Sequence, residues 1–148
     1  MLVKKRKGSV LILGIFAALW MFIVVGILLF DGGIIIAAKM DLYNLADAAA
    51  SAAVKQGYDE TTFMYTGKKQ INHAKAEAAA NDIIEMNQKN NGKKKRWQFQ
   101  PPVLKFDDAK NTVTVQLTTT VPTFFMKLFG VPSIPLKGES MEGLMRKQ

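Results

Sequence analysis

The chain has 148 residues, room for one modest domain, and it has no cysteine, which excludes disulfides, thiolate metal sites and an acylated lipoprotein cysteine. Its formal net charge is +8 and 49% of its residues are hydrophobic. Four of the 20 basic residues precede residue 10; the other 16 lie beyond residue 30 with all 12 acids, a net of +4 that suits an anionic surface without requiring nucleic acid.

Residues 1–9 form a basic N-terminus, with Lys4, Lys5, Arg6 and Lys7 in succession. Residues 10–30, VLILGIFAALWMFIVVGILLF, carry no charged or strongly polar side chain. As a helix they would span about 32 Å, the thickness of a hydrocarbon core. This is read as a transmembrane helix. Basic residues stay on the cytoplasmic side, so the N-terminus is expected inside and residues 31–148 outside the cell membrane, in a single pass. The apolar run is longer than a signal peptide's core and no clean A-x-A site closes it, so an uncleaved anchor is expected.

Gly32 and Gly33 are expected to mark a bend where the chain leaves the lipid. Residues 34–55 then step as a helix, with Ile35, Ala38, Leu42, Leu45, Ala49 and Ala52 on one narrow face and Asp41, Asn44, Asp47, Ser51 and Lys55 on another. Gly57 is expected to cap it. Residues 58–69 read as a loop and residues 70–88 as a second helix. In the β-rich part, residues 95–145, alternation pairs Trp97 with Phe99 and Leu104 with Phe106. The run TVTVQLTTTV is the best strand, with Val113, Val115, Leu117 and Thr119 on one side and a turn at 107–111 before it. PTFFMKLFG reads as a brief amphipathic helical turn ending at Gly130, and IPLKGESMEGL as one more strand. The expected class is α+β: a single N-terminal transmembrane helix continuing into an alanine-rich helix, a second helix, and a small antiparallel β-sheet.

Little in this chain points to catalysis, and no enzyme activity, metal or cofactor is expected. The single histidine, His73, has no second histidine for a zinc site, and no G-x-S-x-G elbow or complete phosphate loop is present. Asp107 and Asp108 beside Lys110 favour turn chemistry. Lys93, Lys94, Lys95 and Arg96, next to Trp97, form the one basic cluster with an aromatic attached.

The basic N-terminus ending Lys7-Gly8-Ser9, the membrane helix, Asp31 just past it, and Lys39 followed by Leu45-Ala46-Asp47-Ala48-Ala49-Ala50 resemble the TadE/TadG-like proteins of Tad (Flp-type) pilus assembly. Residues 4–54 carry the resemblance, and the rest is similar in its pilin-like layout. With Gly8 taken as a prepilin cleavage glycine, the fifth residue after it is Leu13 and not glutamate, which places the chain closer to the uncleaved TadG-like branch. The resemblance implies a structural, pseudopilin-like component of a pilus or secretion machine, acting in surface filament biogenesis and adhesion. Its expected partners are the lipid bilayer and other machine subunits, with self-association a further option and nucleic acid disfavoured. Candidate interface residues are Asp31, Leu42, Leu45, Asp47, Ala49 and Ala52, and the small-residue face of the helix can receive the domain's own sheet or a neighbour's helix. The competing reading is a membrane-tethered module that holds an anionic polymer, such as wall polymer or DNA, through Lys93–Arg96.

Overall fold

The computed structural model describes residues 6–90 and 99–144. The cluster at Lys93, Lys94, Lys95 and Arg96 therefore lies outside the described residues. The chain divides into two compact units, one reaching to Ile36 and taking in Pro122–Ile134, the other Ala37–Val121 with the chain from Pro135 onward.

Helix α1 (Arg6–Gly26) passes through a π-helical turn, Ile27–Asp31, into α2 (Gly32–Gly57). Within Ser9–Gly57 lies a stretch long and apolar enough to cross a membrane. The expected bend at Gly32 and Gly33 is not where the irregularity sits. Gly32 keeps ordinary right-handed helical angles, and its N–H donates to the Ile27 carbonyl one residue further back than in an α-helix. The disturbance is this wider turn, which ends at Asp31.

In the second unit α2 buries Ala38, Leu42, Leu45, Ala46, Ala49, Ala50, Ala53 and Val54. The α-helix α4 (His73–Asn90) presents Ala76, Ala80 and Ile84 to the same core. Alanine removes little area from water, so this contact gains from close approach more than from bulk. At Gly57 the approach is closest: an added Cβ would lie 2.7 Å from the Ala76 Cβ and 3.1 Å from its Cα. Gly57 does end α2 as expected, but it lies there because of Ala76.

Between these helices the expected loop contains a short helix, α3 (Glu60–Thr66). Asp59 caps it, accepting from the Thr62 hydroxyl at 2.6 Å and the Thr62 N–H at 3.2 Å. Those two bonds hold the Asp59 carboxyl below the usual carboxylate range. Because the folded value is depressed, the cap is intact above the ordinary carboxylate pKa and is lost as pH falls through the lowered one. Gly67, in the left-handed conformation, closes the helix.

Strands β1 (Val103–Asp107), β2 (Thr112–Pro122) and β3 (Ser133–Gly143) form an antiparallel sheet in the order β1-β2-β3. Val113, Val115, Leu117, Thr119 and Val121 all point inward from β2. The register sets Leu104 opposite Val115 and Phe106 opposite Val113, so the expected inward residues of both strands share one face. Asp107 accepts the Lys110 N–H at 3.1 Å, and Asn111 takes the positive φ that closes the hairpin. Phe99 pairs as an isolated bridge with Thr119. On β3, Gly138 lies against Leu42: a Cβ there would come within 2.8 Å of Leu42 Cδ2 and 3.2 Å of its carbonyl carbon.

Candidate functional site

The first unit joins two segments far apart in sequence. Helix α1 is exposed along nearly its whole length, including Val10, Leu13, Phe16, Trp20 and Phe22. Beside it lies the tip that connects β2 to β3. The tip is built on a tight frame: the Thr123 N–H donates to Pro132 O at 3.0 Å, the Thr123 hydroxyl donates to Val131 O, and the Val131 N–H donates to Met126 O at 3.2 Å. Inside that frame Met126–Phe129 form a single 3-10 turn, stopped by left-handed Gly130. The amphipathic turn expected from PTFFMKLFG is therefore present, but its polar side is nearly absent.

Asp31 fixes the tip to the helix. Only 1% of its surface is exposed. One carboxylate oxygen accepts the Phe124 N–H at 2.8 Å, and the other accepts the Met126 N–H at 2.7 Å. These are charge-assisted bonds to donors that would otherwise be unpaired, the arrangement in which a buried carboxylate is worth keeping. The π turn ends on Asp31, so the widened helical register and the clasp coincide at one residue.

Aromatic packing completes the site. The Phe125 ring lies 5.7 Å from Phe30 and 6.1 Å from Phe22, and Phe129 lies 6.0 Å from Trp20. Phe125 occupies the space that Gly26 leaves: a Cβ on Gly26 would lie 2.6 Å from two of its ring carbons. Gly26→Ala is expected to push the ring out and weaken docking of the tip by about 1–3 kcal/mol. Faster chymotryptic cleavage in the tip, with the rest of the chain protected as before, is the outcome to look for.

The other candidate residues lie in the second unit. Leu42, Leu45 and Ala49 are brought together in the chain's own core with α4 and the sheet, whereas Ala52 is half-buried and outside that cluster. Asp47 is exposed and accepts from the Ser140 hydroxyl at 3.0 Å. Spacing does not pair His73 with Asp108, which lies 35 residues away. His73 Nε2 is 2.7 Å from Asp108 Oδ1, with the imidazole stacked on Phe106 at 4.1 Å. This ties the start of α4 to the β1–β2 turn; both side chains are about half exposed, so the pair contributes little energy. Among the described residues no group of three His, Cys, Asp or Glu could hold a metal ion.

No known protein family matches the chain, and no curated protein or solved structure does either. The site is a clasp: one carboxylate, one bare glycine and five aromatic rings that hold an apolar tip against an apolar helix.

Proposed function

We propose that the chain is a membrane-anchored, pilin-like structural component of a Tad/Flp-type pilus assembly or secretion machine, working in surface filament biogenesis and adhesion through helix-mediated assembly. The observation that carries this reading is the helical run from Ser9 to Gly57, apolar and exposed in its first part and built into a folded core in its second. A soluble domain has no use for so much exposed apolar helix. The resemblance of residues 4–54 to TadE/TadG-like proteins supplies the particular machine, and the basic N-terminus supplies the orientation.

Deletion of the gene in a strain that makes surface filaments, followed by electron microscopy, tests it. Filaments should disappear and return with the wild-type gene. Filaments that persist unchanged would overturn the proposal. Orientation is tested separately. The chain has no cysteine, so a single Lys137→Cys variant should react with a membrane-impermeant maleimide on intact cells.

A further inference from the structure

We propose that the β2–β3 tip, Thr123–Val131, is itself embedded in the lipid bilayer alongside α1, as a second membrane-inserted element of the chain. The proposal rests on the reading of α1 as a membrane span, and three observations carry it further.

The first is depth. Phe129 packs on Trp20, eleven residues before Asp31, which is about 16 Å along a helix axis. A span running over residues 10–30 puts Trp20 near its middle, so the tip lies beside the part of α1 that must sit in hydrocarbon. The second is the character of the surface. Phe124 is 72% exposed and Leu128 69%, and Phe129 and Val131 are exposed with them, continuous with the exposed apolar surface of α1. The tip carries no acid, and its one charge, Lys127, has a stem long enough to reach toward the headgroups. The third is the backbone. Non-helical chain at hydrocarbon depth persists only where its polar groups are satisfied by protein. Asp31 takes the N–H groups of Phe124 and Met126, the Pro132 carbonyl takes that of Thr123, and carbonyls within the tip take those of Leu128, Gly130 and Val131.

Lipid is the occupant that all three observations select, since a helix already in hydrocarbon brings its docked neighbour with it. Single-cysteine variants of the full chain, Leu128→Cys in the tip, Ala18→Cys in α1 and Lys137→Cys on β3, are labelled with nitrobenzoxadiazole and reconstituted in phosphatidylcholine vesicles. Nitroxide on the lipid acyl chains then reports contact with hydrocarbon. The expected result is blue-shifted emission and loss of intensity to the nitroxide at Leu128→Cys as at Ala18→Cys, with neither at Lys137→Cys. Quenching at Ala18→Cys with water-like, unquenched emission at Leu128→Cys overturns the proposal and leaves the span intact. Blue-shifted but unquenched emission at Leu128→Cys also overturns it, because the tip is then covered by protein, as in contact with a second copy. No quenching at Ala18→Cys removes the span and the proposal with it.

Discussion

Asp31→Ala should release the tip from α1 while leaving the second unit folded. Both tip N–H groups lose an ionised acceptor, and bonds of this kind are worth roughly 1.5–3 kcal/mol each. The expected loss is about 3–5 kcal/mol for the docked tip, so amide exchange at Phe124 and Met126 should accelerate by at least about a hundredfold. Amides of Val113, Val115 and Leu117, in the centre of the sheet, should keep their protection. Asp31→Asn is nearly isosteric but not a rescue, because its NH2 would face one of the two N–H donors. It should resemble the alanine variant more than the wild type. Unchanged exchange at Phe124 and Met126 in Asp31→Ala would show that the carboxylate does not hold the tip.

The second large effect is expected at Leu42. The side chain is fully buried, and its backbone and Cδ2 lie against Gly138 on β3. Truncation to alanine leaves a cavity between α2 and the sheet, at a cost of about 2–5 kcal/mol. That is a large share of what a small domain has to lose. The midpoint of thermal unfolding of the second unit should fall clearly, whereas Leu29→Ala, on an exposed position of the π turn, should leave it in place. The comparison separates two roles that spacing alone leaves joined. A side chain used only to meet a neighbouring subunit would alter assembly without moving the unfolding midpoint; Leu42 is expected to move it.

Much of this fold is written in local patterns. The apolar run at 10–30 and the alternation from Val113 to Thr119 each expose or bury one continuous set of side chains, so periodicity suffices to find them. The helical step from Ile35 to Ala52 finds Ala38, Leu42, Leu45 and Ala49 but misses Ala46, Ala50, Ala53 and Val54, because α2 buries a wider face than that stripe. Helix α3 falls in the stretch that reads as a loop, because seven residues with no buried side chain give no periodic signal. Other features are not local at all. Gly26 is one more glycine in an apolar stretch until Phe125 is seen in the space beside it. Gly32 and Gly33 look more eventful, yet Gly32 keeps right-handed helical angles and only closes the π turn. Asp31 stands out as the first charge after the run, yet its donors are 93 and 95 residues away, and no spacing rule spans that distance. The pairing of His73 with Asp108 was hidden for the same reason.

That separation also sets an order of events. During synthesis α1 emerges and forms its helical hydrogen bonds while the tip that will lie on it has not yet been made. Through that interval Asp31 has neither of its donors, Gly26 borders an empty space, and the helix enters its surroundings bare. The contact closes only after β2 has left the ribosome and found its place, a long-range step that comes late for entropic reasons. Chains truncated before the tip therefore carry an unclasped helix with an unpartnered carboxylate at its end.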